Sequence, residues 1–377
     1  MKILIDNSNL FAGGGLQVAA SFLRDLKKLN SLHTFHVVLS INCVQVLKDD
    51  VFPDNFTFYN LGKKEEKSKR KRIKSVSQIE NSVYPDCIFT IFGPSYHKSN
   101  FPKLVGFAIP YIIYPDSPFF KQISIKEKIY YKILSIIKTY SFKKNSDSLV
   151  FETENARQIF INRSGYENNS FTVGNTLNEI FSNKFKWIEY KGISSKSINI
   201  LFLTANYPHK NMMIIPQIIM ILKEKFTMDN FKFLITLTKE ELNYPEFCDQ
   251  YIEYLGKVNL ESIPSLYEQS QIVFIPSLLE VFSATYLEAM FMKKPIIASD
   301  LGFSRDICGE AAYYCEPVNP DSYAKAIYEL SFNEEMKHKL VNTGTKNLQR
   351  FGSSMDRTNE YMNIIKKIVK DNYDNQK

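Results

Sequence analysis

Five cysteines occur in the 377 residues, Cys43, Cys87, Cys248, Cys308 and Cys315. They form no Cys-x-x-Cys pair and have no histidine nearby at ligand spacing. That excludes a disulfide framework and a cysteine-based zinc module, and an odd, unpatterned count suits a reducing compartment. Long apolar runs are missing too. The longest, Leu104 to Tyr114, contains Pro110 and falls well short of the roughly 20 residues of a membrane-spanning helix. The opening Met1-Lys2-Ile3-Leu4-Ile5-Asp6 is charged by its sixth residue, too soon for a signal peptide. The expected location is cytoplasmic, at most peripheral on the inner face of the plasma membrane. No Asp-x-Asp occurs, so the paired carboxylates that hold a divalent cation against a diphosphate are missing and no metal is expected.

Hydrophobic residues at 44% and charged residues at 23% allow proper cores, and the length suits two domains of about 180 residues each. The net charge of +7 is uneven: residues 1–180 hold 24 Lys and Arg against 16 Asp and Glu, and the remainder is near balance. This asymmetry points to an anionic partner for the first half: nucleic acid, a phospholipid surface or a phosphorylated acceptor.

Short apolar runs alternate with amphipathic segments, the pattern of an α/β parallel sheet flanked by helices. Strands are expected at Lys2–Ile5, Phe35–Leu39, Cys87–Ile91, Ile109–Tyr114 and Ser148–Phe151, with a helix at Leu16–Leu29. The second half restarts the alternation, with strands at Ile198–Thr204, Lys232–Leu237, Tyr251–Leu255, Gln271–Ile275 and Pro295–Ala298. Its helices are expected at Met212–Phe226, Ser283–Lys293, Asp321–Leu330 and Met355–Lys370. Asn178–Lys196 has little periodicity and reads as a linker. The expected architecture is two Rossmann-like, doubly wound domains facing across a cleft, residues 1–180 and 195–354. The C-terminal helix at about 355–370 packs back on the first of them.

Gly13-Gly14-Gly15 follows the first strand and opens the first helix. Gly14 and Gly15 suit close backbone approach to a phosphate at a helix N-terminus, or simply a tight strand-to-helix turn; the residues leave both open. In Pro276-Ser277-Leu278-Leu279-Glu280-Val281-Phe282-Ser283-Ala284-Thr285-Tyr286-Leu287-Glu288-Ala289-Met290, a strand ends, a loop carries Glu280 and a helix starts near Ser283. Glu288 stands on that helix among apolar neighbours. The plain alternative makes Glu280 a solvated loop acid and Glu288 an exposed helix position.

Glu280 and Glu288 form an E-x7-E motif, followed by "EAMFMKKPIIASDLGFSRDICGEAAYYCEPVNPDSYAKAI". Together with "GGGLQVA", "VGNTLNEIF", "LTANYPHKN" and "YLGKVNLESIPSLYEQSQIVFIPS", this resembles the retaining glycosyltransferases of family 4, which have the GT-B fold. The resemblance covers nearly the whole chain, and its C-terminal block is the more specific part. It implies a nucleotide-sugar donor held by the C-terminal domain, with Glu280 as the catalytic carboxylate at the donor sugar. Backbone N–H groups of Phe282, Ser283 and Ala284 would hold sugar and diphosphate oxygens. Glu288 would take the two ribose hydroxyls, a pair that one carboxylate can accept. Lys210 would neutralise the departing diphosphate, the task a metal performs elsewhere. The chain departs from the family twice. Ala205 stands where an arginine usually accompanies the lysine, leaving His209 as a helper. Where relatives carry a histidine in the N-domain, this chain reads Tyr114-Pro115-Asp116-Ser117-Pro118. Asp116 is therefore a candidate acceptor-side or catalytic contact, or else fixes a Pro-bounded turn. His97 either lines the cleft or sits on a surface loop.

Lys63 to Lys74 hold eight basic residues against two acids, and residues 126–144 mix lysines with aromatic and aliphatic side chains. Both segments suit an anionic membrane surface, though the first equally fits a solvated face and the second a packed helix. By resemblance the setting is cell-surface polysaccharide assembly, O-antigen or capsule. The partners are then a nucleotide-sugar and a saccharide or polyprenyl-diphosphate-linked acceptor, without a cofactor or nucleic acid. Rival readings are a sugar-nucleotide epimerase of the same fold and a basic nucleic-acid-binding module.

Overall fold

A computed structural model describes residues 1–11, 13–29 and 32–374. It divides the chain into two compact units. The first comprises Met1–Ile113, Lys126–Asn175 and Gly352–Lys377; the second comprises Tyr114–Ile125 and Thr176–Phe351.

In the first unit seven strands form a parallel sheet: β1 (Lys2–Asn7), β2 (Thr34–Leu39), β3 (Phe56–Asn60), β4 (Cys87–Thr90), β5 (Lys103–Phe107), β6 (Ser148–Phe151) and β7 (Asn169–Thr172). Their order is β3-β2-β1-β4-β5-β6-β7, with Ile3 opposite Phe35 on one side and Cys87 on the other. β4, β5 and β6 are buried at every residue, as expected where helices cover both faces of a parallel sheet. The helix Gly14–Leu26 packs on the C-terminal helix Ser354–Asp374. Phe22 and Phe89 meet Tyr361 with ring centroids 5.5 and 4.9 Å apart. The buried Arg357 donates to Asn175 Oδ1 at 2.6 Å and Ser21 Oγ at 2.8 Å, fastening the chain's end to this unit.

The second unit holds a six-stranded parallel sheet: β8 (Ile198–Phe202), β9 (Phe231–Ile235), β10 (Ile252–Tyr254), β11 (Ile272–Ile275), β12 (Ile296–Ser299) and β13 (Ala312–Cys315). The order is β10-β9-β8-β11-β12-β13. Crossing from β8 to β11 reverses the direction in which strands are added, and ligands of open α/β sheets gather at the strand C-termini beside such a switch.

Three sequence expectations change. The strand expected at Ile109–Tyr114 lies earlier, at Lys103–Phe107, and Pro110–Ile113 is a short helical turn. Pro110 lacks the N–H a ladder needs, while Lys103 disguised the true strand. Gly106 is required there, since a Cβ would stand 1.8 Å from the Ile91 carbonyl oxygen. The expected linker is packed at its start: Phe181 is buried against Tyr267, and the Trp187 indole N–H donates to Ile180 O at 2.7 Å. Residues 114–125 group with the second unit, not the first.

Candidate active site

The stretch after β8 turns through a short 3-10 helix, Pro208–Lys210, and closes with Asn211 at φ 58°. Asn211 is held there by donating to Pro317 O at 3.0 Å. The turn presents Lys210, whose ammonium forms an ion pair with Glu280. The two side chains are 18% and 13% exposed, so water screens the pair only partly. Leu278 N–H donates to His209 O at 2.8 Å, and the Ser117 hydroxyl donates to Leu278 O. These bonds tie three separate segments, 114–119, 207–211 and 277–283, into one assembly. His209 stacks on Tyr207 and meets the edge of Phe119. Burial holds its imidazole below the usual range, with Glu280 pulling up and Lys210 pushing down. Beside the assembly opens a pocket of about 390 Å³ lined by Phe119, Gln122, Pro208, Asn211, Met212 and Gln217, among others.

Ser283 caps the helix Ala284–Phe291 in position only; its side chain makes no capping bond. The N–H groups of the first turn therefore lack that partner, the condition in which a helix start accepts an anion. Phe282, Ser283 and Ala284 are all partly open to solvent. Glu288 follows on the same helix and is not an exposed position: it is partly buried, and the Tyr267 hydroxyl donates to its Oε2 at 2.8 Å. Burial pushes its carboxyl up to about 7, against the opposing pull of the Tyr267 hydrogen bond. Tyr267 and Tyr286, both fully buried, were not picked out from sequence. The only available signal is that a buried tyrosine hydroxyl needs a partner. Tyr267 finds Glu288, whereas the Tyr286 hydroxyl has none.

Because the Glu288 carboxyl sits well above its ordinary value, the folded chain holds a proton there that the unfolded chain releases. Its contribution to stability is complete below about pH 4.5 and is lost as pH rises through about 7. Glu288→Gln keeps an acceptor for Tyr267 without the charge. In thermal unfolding it is expected to raise the midpoint at pH 8 and leave it unchanged near pH 5. An unchanged midpoint at pH 8 would mean that burial does not penalise this carboxylate.

Other expected site residues lie elsewhere. Asp116 is exposed, one residue from the Ser117 contact to Leu278. Gly14 and Gly15 belong to the first unit, where Gly13 at φ 72° starts the helix without a side-chain cap. His97 is not a surface-loop residue: its Nε2 lies 2.8 Å from Glu80 Oε1, and its side chain is only 15% exposed. Among the described residues no three His, Cys, Asp or Glu side chains converge as metal ligands.

Two Rossmann-like parallel-sheet units in one chain define the GT-B fold class. That class is shared with an Anabaena protein solved in complex with UDP and glucose, at a TM-score of 0.69, 12% identity, and coverage of 97% of this chain and 100% of that one. Residues 183–347 match the family model of glycosyl transferases group 1. An uncharacterized glycosyltransferase of Methanocaldococcus jannaschii is 28% identical over 34% of this chain and 33% of its own length. An O-antigen chain mannosyltransferase of Salmonella typhimurium is 21% identical over 69% of this chain and 64% of its own. The matched stretches thus span a third of the archaeal relative and under two thirds of the Salmonella one.

Proposed function

We propose that the chain is a retaining, metal-independent glycosyltransferase that moves a hexose from a nucleotide-sugar to a saccharide or lipid-linked acceptor. The observation that carries this reading is the Lys210–Glu280 ion pair, set beside the uncapped start of the helix Ala284–Phe291. Transfer breaks the bond between the sugar's anomeric carbon and the diphosphate and forms one from that carbon to an acceptor hydroxyl oxygen, whose proton passes to the departing diphosphate. The bonding electrons leave with the diphosphate, and positive charge develops on the sugar. Lys210 and the helix start meet the first change with fixed positive charge, and Glu280 meets the second with negative charge. Glu288 grips the ribose, and Asp116, near the same loop, serves the acceptor side. The relation to an O-antigen chain mannosyltransferase supports a cell-surface polysaccharide setting.

The test is transfer from a panel of nucleotide-sugars, with and without excess chelator. Transfer to an added acceptor that persists in chelator is the expected result. Loss in chelator restored by Mg²⁺ contradicts metal independence, and turnover of the donor without acceptor favours an epimerase.

A further inference from the structure

The helix Ile125–Asn145 is apolar on two opposite sides, and only one is used by the fold. Its inner side is anchored by Phe142, fully buried and packed against Phe107 with ring centroids 4.8 Å apart. Lys138 also turns inward, its ammonium 5.3 Å from the Tyr111 ring centroid. On the other side Ile129, Ile133, Ile136 and Tyr140 recur at i, i+4, i+7 and i+11, with Tyr130 and Ile137 alongside. That spacing makes one continuous stripe along a helix. Each of these six side chains is between 50% and 63% exposed. The stripe is edged by exposed Lys126, Lys128, Lys132 and Lys144, while the Lys143 ammonium donates to Ser164 O at 2.6 Å; Glu127 is the helix's one acid. A helix apolar all round is ordinarily buried; among the described residues, nothing buries this face.

We propose that this face lies in the interfacial layer of an anionic phospholipid bilayer and holds the protein to the membrane. The charges select the occupant. A second copy docked on this stripe about a two-fold axis would oppose lysines to lysines with a single acid to answer them. Lipid phosphates, by contrast, meet the lysines that flank the stripe, while the isoleucines enter the acyl boundary and the lysine stems extend to the headgroups. Tyr130 and Tyr140 carry the ring-and-hydroxyl combination that suits the headgroup level. The helix of 21 residues lies along the surface and does not cross it: no described helix is long and apolar enough to span a bilayer.

Two of the eight basic residues of the stretch 63–74 turn toward rings of the first unit. Lys69 folds its ammonium over the Tyr96 ring, 3.2 Å from the centroid, and the Arg72 guanidinium lies 5.0 Å from that of Phe11. Both are committed within the unit, and the apolar stripe is the anchor.

The test is flotation of the full chain with vesicles of phosphatidylglycerol and phosphatidylcholine, against phosphatidylcholine alone, at low salt. The wild type is expected to float with the anionic vesicles and to be released by salt. Combined Ile129→Ser, Ile133→Ser and Ile136→Ser should weaken binding tenfold or more, roughly, since exposed side chains that enter the boundary carry the apolar part of the affinity. Changing Lys126, Lys132 and Lys144 to Gln should cost about fivefold for each lysine removed. These positions are exposed, so circular dichroism should show unchanged folding, and nucleotide-sugar binding measured in parallel should be unaffected. The inference is overturned if the wild type ignores anionic vesicles, or if the serine variant floats undiminished. It is equally overturned if that variant abolishes a self-association seen without lipid, which would assign the stripe to a second copy. None of these outcomes bears on the donor site.

Discussion

Glu280→Gln is expected to lower kcat by about ten- to a hundredfold while the chain stays folded. A charged hydrogen-bond partner is worth roughly 1.5–3 kcal/mol, and each 1.36 kcal/mol of barrier is tenfold in rate. Glutamine keeps the shape and an acceptor oxygen, so Lys210 retains a hydrogen-bonding neighbour; what disappears is the charge facing the developing positive sugar. Charge of that kind acts more in the transition state than in the bound donor, so the loss falls on kcat. Glu288→Gln behaves differently. The ribose looks the same before and during reaction, so losing its grip raises KM with little change in kcat. Steady-state kinetics of the two variants separate the roles. If Glu280→Gln moves only KM, or either folded variant keeps wild-type kinetics, the division of labour is wrong.

The largest stability effect is expected in the first unit. Glu80 is 3% exposed, with His97 Nε2 at 2.8 Å and Lys103 Nζ at 3.4 Å from the same carboxylate oxygen, and Lys103 is 1% exposed. Burial alone would raise the Glu80 carboxyl, but the His97 hydrogen bond and the charges of Lys103 and His97 outweigh it and hold it below its ordinary value of 4.5. The stability this cluster contributes is therefore present above about pH 4.5 and lost as pH falls through the lowered folded value. Glu80→Ala strands the Lys103 ammonium in the interior, and breaking a buried pair from one side costs roughly 3–5 kcal/mol. The urea midpoint at pH 7 should fall accordingly, followed by circular dichroism. Replacing Glu80 and Lys103 together by apolar residues of similar volume should recover much of the loss. If Glu80→Ala unfolds at the wild-type urea concentration, the cluster does not support the fold.

This cluster also shows where sequence reading stops. The α/β class was legible because β1, β4, β6, β8 and β11 are short apolar runs bounded by turns, and buried parallel strands look like that. β5 was not, because it begins with a lysine whose partner, Glu80, lies 23 residues away on another element. A charge in a strand looks like a surface until its counter-charge is known. The motif containing Glu280 and Glu288 was legible as a pattern, and the structure adds its local geometry: Lys210 in an ion pair with Glu280, Tyr267 on Glu288. Tyr267 was hidden because a tyrosine in an amphipathic segment reads as core, and only its hydroxyl has a task. The stripe on Ile125–Asn145 was visible as composition. Which side of that helix the fold consumes depends on Phe107 and Tyr111, and no periodicity reveals it.

The second unit is expected to grip a nucleotide-sugar through Lys210, Glu280 and Glu288. Titration calorimetry with a panel of nucleotide-sugars, at pH 8 and pH 6, tests it most directly. A carboxyl that titrates at about 7 and binds ribose only when ionised should hold the cognate donor about tenfold more weakly at pH 6 than at pH 8. In Glu288→Gln the affinity should be weaker throughout and indifferent to pH. Absence of binding by every donor at either pH, or an affinity the Glu288→Gln change leaves untouched, would contradict the account.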